Sequence, residues 1–232
     1  MMRKIIATLL IFVLVFAGLV YAKVTYTIKE QEGLILYGLE KYSSKRIYTI
    51  DKILYEDNQI KVYNYLTPGQ NFQLVKLKLE KDYNISYNET RAWDPAEFLV
   101  HGGDCYDYTM FLIGLLTNPQ RDWNGDIGEM YSHITVYIVV SNIEFPDGHV
   151  EGHMFPIFVY KNEENVTVYG VYDIPTNTYF ELKNTTLENS LKKWENVSGL
   201  KIMKIMVYKL EFENGEFVGI SPIYKYLLFQ KI

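Results

Sequence analysis

The sequence predicts an α+β fold in which a helix bearing the chain's single cysteine packs on an antiparallel β-sheet. Three observations predict it. Residues 101–116 run His-Gly-Gly-Asp-Cys into an apolar stretch, the pattern of a capped and buried helix. From residue 133 onward the apolar period becomes two, with turn signals between successive stretches. No internal repeat or low-complexity linker is visible, so the helix and the strands form one arrangement with the helix on one face of the sheet.

Residues 1–22 stand apart. Arg3 and Lys4 precede an apolar run from Ile5 to Tyr21, and Val20 and Ala22 suit a signal peptidase. The expectation is a signal peptide or an N-terminal membrane anchor, with membrane attachment through residues 5–21. The remainder is then extracellular or at the cell surface, secreted or held by that segment. Five Asn-x-Ser/Thr sequons, at Asn84, Asn88, Asn165, Asn184 and Asn196, fall in polar stretches that could carry glycans there. Two of the 23 basic residues lie in the leader, leaving 21 against 28 acidic ones, a formal charge of −7. With no basic patch, nucleic acid is not an expected partner. One cysteine allows no intrachain disulfide, so an exported chain would carry a free thiol.

Residues 23–69 read as a strand-rich extension. Residues 23–28, 46–54 and 59–65 have strand character, with Glu56-Asp57-Asn58 and Pro68-Gly69 as turns. Residues 33–42 and 70–82 settle on neither period. The main domain is expected over 70–232. Asp94 caps and Pro95 opens a short helix. The central helix starts at Cys105 and stops at Asn118-Pro119. Residues 122–129 form a polar loop. Strands are expected over 133–140, 150–160, 166–172, 179–182, 201–212 and 217–220, with a short amphipathic helix over 187–194 and an Asn214-Gly215 turn. The apolar residues 224–229 should pack on the sheet.

Asp104 is a good N-cap, which places Cys105 at the first helical position, where unpaired N–H groups favour a thiolate. Gly102 and Gly103 permit the tight approach to that position. His153 lies on a strand after Gly152, which leaves room for the helix or a substrate. Asp173 ends the next strand, and a hairpin centred on Glu163-Glu164 puts residues near 153 and 173 roughly opposite each other. Cys105, His153 and Asp173 therefore suit nucleophile, base and orienter.

The segments Gly103-Asp104-Cys105-Tyr106-Asp107, Gly152-His153-Met154-Phe155 and Tyr172-Asp173-Ile174-Pro175-Thr176, in that order, resemble the transglutaminase-like superfamily of papain-like thiol enzymes, in its exported prokaryotic type. Trp93-Asp94-Pro95-Ala96-Glu97 is similar to the family's lead-in, and the likeness covers roughly residues 84–176. It implies a papain/transglutaminase-like core and the triad Cys105, His153 and Asp173. Met154, where many relatives have Ala or Val, is a mild departure. The function expected is acyl transfer at amide or peptide bonds of a protein or peptide substrate, by a thiol peptidase or amidohydrolase without a cofactor. The Cys105 N–H and the Trp93 indole are the oxyanion candidates.

Two rival readings are set beside it. His101 with Cys105, and His149 with His153, have spacings that can serve zinc, although the second pair crosses a turn-to-strand boundary. The other is a non-enzymatic, surface-tethered binding or structural module with the same fold, which could take an extended peptide as an added strand.

Overall fold

The computed structural model describes residues 2–54, 56, 59–119 and 128–223. The expected packing of residues 224–229, most of the 122–129 loop and Asp57-Asn58 of the first turn lie outside these residues. The chain divides into two compact units, one ending at Tyr37 and the other beginning at Gly38.

The first unit is almost entirely helix α1, Met2–Lys41, which continues into the second. Its course corrects two expectations. Residues 23–28 are helical, not a strand, and the helix passes Ala22 without a break. Among the described residues no helix is long and apolar enough to cross a membrane. Membrane attachment through residues 5–21, the signal or anchor role of 1–22, and the extracellular or cell-surface placement drawn from them are therefore withdrawn. The apolar run belongs to a longer helix that also carries Lys23, Lys29, Glu30 and Glu32.

The expected strand-rich lead-in is also replaced. Residues 46–54 lie in α2, Ser44–Leu54, which buries Ser44, Ile47 and Asp51, a spacing of one helical face. The β-branched and aromatic residues there carry only a context-dependent strand preference, and burial on a helical period overrides it. Pro68-Gly69 is no turn but the start of α3, Pro68–Lys81. Thr67 caps it, Gln70 closes the reciprocal capping box, and Pro68 sits where its missing N–H costs nothing. Phe72, Val75 and Leu79 form its buried face.

Asp51 of α2 is fully buried. One carboxylate oxygen accepts from the Ile60 N–H at 2.8 Å, and the other has no hydrogen-bond partner among the described residues. Burial pushes its carboxyl up to about 6, against the pull of the Ile60 N–H and Lys78. The fold thus favours the protonated acid: that contribution is complete below the ordinary value of 3.8 and is lost as pH rises through about 6. Between pH 4 and pH 7 the melting temperature of the wild type should fall relative to that of Asp51→Asn by roughly 3–6 °C. Parallel melting curves across that range would refute the assignment.

After α4, Pro95–His101, and α5, Cys105–Leu116, comes the short α6, Glu129–Ser132. The sheet then follows: β1, His133–Glu144; β2, Val150–Lys161; β3, Thr167–Asp173; β4, Thr178–Lys183; helix α7, Leu187–Ser198; β5, Lys201–Glu213; and β6, Glu216–Ile223. The six strands lie in the order β4-β3-β2-β1-β5-β6, each antiparallel to its neighbour. Asn214 and Gly215 both take positive φ, 51° and 80°, as a two-residue hairpin turn requires. Three sequon asparagines, Asn84, Asn165 and Asn184, have φ of 52°, 58° and 50°, so the backbone alone gives a reason for asparagine there.

Strand β2 is buried continuously from His153 to Phe158, which marks it as covered on both faces. On one face, Phe155 and Ile157 join Val139, Val171 and Ile205 beneath Leu191 and Trp194 of α7. On the other, Tyr172 packs against Phe158 and stacks on Phe72 of α3 at 4.6 Å. The cysteine-bearing helix α5 packs against β2.

Candidate active site

The site begins with the cap of α5. One oxygen of Asp104 accepts from the N–H groups of Tyr106 and Asp107, and the other holds Arg91 Nε at 2.9 Å. Asp107, fully buried, returns the capping box by accepting from the Asp104 N–H. It also accepts from the Ala92 and Trp93 N–H groups and, at 2.7 Å, from the Tyr42 hydroxyl. One carboxylate therefore anchors the 91–93 segment to the helix mouth. Burial pushes that carboxyl up, while the Ala92 amide and the Tyr42 hydroxyl pull against it.

The two glycines ahead of the cap are required by space. Gly102 has φ of 76°, and a Cβ there would lie 2.1 Å from the Ser86 carbonyl oxygen. A Cβ on Gly103 would lie 2.4 Å from the Asp107 carboxylate. Both values are inside any tolerable contact, so this approach to Cys105 needs glycine. The open space expected at Gly152 is present, since a Cβ there meets nothing within 4 Å; the helix does not fill it.

Cys105 follows at the first helical position, 8% exposed. The Asp104 side chain satisfies the next two N–H groups, and the Cys105 N–H has no acceptor among the described residues. Thr109 Oγ1 lies 2.7 Å from the Cys105 carbonyl and 3.1 Å from that of Met154. The hydroxyl thus bridges the first turn of α5 to β2, one residue beyond His153.

His153 is 6% exposed, and Cys105 is among the groups that act on its imidazole. Its Nε2 lies 2.9 Å from Asp173 Oδ2. The expected register needs adjustment. Strands β2 and β3 pair as Lys161↔Thr167 through Ile157↔Val171, and the same register continued sets Asp173 opposite Phe155, not His153. His153 and Asp173 are diagonal neighbours on one face, close enough for a long side chain to span. The β2–β3 ladder stops one residue short of Pro156, which has no N–H to offer, and beyond it β2 is paired with β1 alone.

Burial by itself would make His153 harder to protonate. The Asp173 charge and hydrogen bond, followed by the influence of Cys105, outweigh it and raise the imidazole to about 10. The direction of the shift favours the protonated imidazole, held against the Asp173 carboxylate.

Asp173 is buried, and three donors converge on its Oδ2: His153 Nε2, Thr176 Oγ1 at 2.6 Å and Trp194 Nε1 at 2.9 Å. Its Oδ1 has no partner among the described residues. The Trp194 ring lies 5.9 Å from the His153 ring and stacks on Phe155 at 4.8 Å. Neither Trp194 nor Thr109 is named by motif reasoning. Trp194 offers only the faint signal of a tryptophan on the buried face of an amphipathic helix.

Trp93 belongs to another cluster. Its ring lies 6.1 Å from Tyr106, and the Arg91 guanidinium sits over both rings, at 4.8 and 4.4 Å. Its φ is 66°, a strained value for tryptophan, imposed while its N–H bonds Asp107. Tyr87 was not anticipated either. It bridges to Gly103, and burial, then Cys105, Asp104 and Glu151, push its hydroxyl up to about 12. Among the described residues no group of three or more His, Cys, Asp or Glu is arranged to hold a metal ion. His149, from the second zinc spacing, lies in an exposed cluster with Asp147 and Glu151.

No protein-family model matches this sequence, and neither a curated protein nor a solved structure matches it.

Proposed function

We propose that this protein is a cysteine-dependent acyl-transfer enzyme of transglutaminase-like type that cleaves amide or peptide bonds. The observation that carries the reading is the buried His153 Nε2–Asp173 Oδ2 contact at 2.9 Å, on an imidazole that Cys105 at the mouth of α5 also influences. A cationic imidazole beside a cysteine at a helix N-terminus is the arrangement that sustains a thiolate nucleophile.

In this reading Cys105 Sγ attacks the amide carbon, and the carbonyl electrons move to oxygen. The Cys105 N–H, free of any helical acceptor, binds that oxyanion. The tetrahedral intermediate collapses with cleavage of the C–N bond, and His153 gives its proton to the departing amine. Water then adds to the thioester as His153 takes a proton from it. The products are a carboxylic acid and an amine, and the thiol is restored. An amine in place of water gives transamidation by the same steps.

A second reading, a non-enzymatic binding module, is favoured by the burial of the nucleophile itself: Cys105 is only 8% exposed. One experiment separates the two, the pH dependence of Cys105 alkylation by iodoacetamide in the wild type and in His153→Ala. The enzyme reading expects rapid alkylation well into the acid range in the wild type and an ordinary thiol profile, near 8.5, in the variant. An inert thiol, or the same ordinary profile in both, favours the binding module.

A further inference from the structure

The geometry points to Trp194 and Thr176 as positioning residues that fix the Asp173 carboxylate and, through it, the His153 ring. This rests on the acyl-transfer reading and adds to it two residues that never touch substrate. Asp173 is buried and has one oxygen without any partner among the described residues. A buried carboxylate is costly unless hydrogen bonds compensate it. All compensation falls on Oδ2, from His153 Nε2, Trp194 Nε1 and Thr176 Oγ1.

Two of those donors are neutral and come from outside the triad. Thr176 lies three residues beyond Asp173, in the turn after β3. Trp194 comes from α7, 21 residues on, and does two things at once. Its N–H serves the carboxylate, and its ring lies against both Phe155 and His153, at interplanar angles of 7° and 27°, while those two rings lie 5.7 Å apart. The ring limits the tilt of the imidazole while the N–H fixes its partner. Helix α7 is thereby coupled to the chemistry at α5 through a single side chain.

The test uses Trp194→Phe, which keeps a ring in the stack and deletes the N–H, and Thr176→Val, which deletes the hydroxyl at nearly constant volume. The readout is the pH profile of Cys105 alkylation by iodoacetamide from pH 4 to pH 10, with melting temperature followed in parallel. Removing a neutral donor lets the Asp173 carboxylate shift and weakens its hold on the His153 imidazole. The acid limb should therefore move up and the basic limb down, and the rate at pH 7 should drop by about 10- to 100-fold, the effect of one hydrogen bond to a charged group. A merely structural role lowers the melting temperature and leaves both limbs in place. A folded Trp194→Phe with the wild-type profile overturns the inference. Should that variant not fold, Thr176→Val decides: a narrowed profile supports the inference, and an unchanged one overturns it. A wild-type profile already that of an ordinary thiol would be a failure of the acyl-transfer reading instead.

Discussion

Replacing Cys105 with alanine should abolish amide turnover, by about 10⁴-fold or more, while the melting temperature stays within about 4 °C of wild type. The two halves of this expectation have separate causes. The Cys105 side chain is small, and the cap of α5 belongs to Asp104 and Asp107, so the helix start does not depend on sulfur. Asp107, the Asp104 cap and the Thr109 bridge to Met154 all remain in place. Only the nucleophile is lost, and residues that act as a unit fail together when one is removed. The assay is hydrolysis of a panel of fluorogenic peptide amides by wild type and variant, beside thermal melts. Turnover by the wild type that survives in Cys105→Ala would end the thioester route.

Changing Asp173 to asparagine should be nearly as damaging to chemistry, lowering turnover by about 10²–10⁴-fold. The substitution is chosen because an amide oxygen can still accept from Trp194, Thr176 and His153; what disappears is the charge. Without it, burial dominates and His153 falls from about 10 toward its ordinary value of 6.5. The imidazole then no longer keeps its proton at neutral pH. The same change has a signature in stability. A group raised from 6.5 to about 10 on folding contributes stability that is complete below pH 6.5 and lost as pH rises through about 10. Wild-type melting temperature should therefore decline between pH 7 and pH 10, and Asp173→Asn should flatten that decline. Equal slopes in the two proteins would mean that Asp173 does not set the protonation of His153.

These expectations rest on features of unequal visibility in the sequence. The Asp-Cys-x-Asp start of α5 was readable because capping is local: the side chain and the N–H groups it serves lie within three residues. The strands from β1 to β6 were readable because their apolar period of two spans many residues. The N-terminal third was not. Residues 23–28 and 46–54 are rich in β-branched and aromatic side chains, yet both are helical; over 46–54 a buried helical face outweighs a weak local preference. The apolar run after Arg3-Lys4 had the composition of a leader but lies within a 40-residue helix.

By itself, then, the sequence determined the α+β order of elements, the helix start that exposes the Cys105 N–H, and the placing of His153 and Asp173 on successive antiparallel strands. Each depends on short-range hydrogen bonding or on periodicity, which the chain carries locally. Only the tertiary structure decided that His153 and Asp173 meet diagonally, that Thr109 ties α5 to β2, and that Trp194 reaches Asp173 from α7. Those contacts join segments 20 to 45 residues apart. Their geometry depends on strand register and on which helix covers which face, and a single-residue slip would send each side chain to the other side of the sheet.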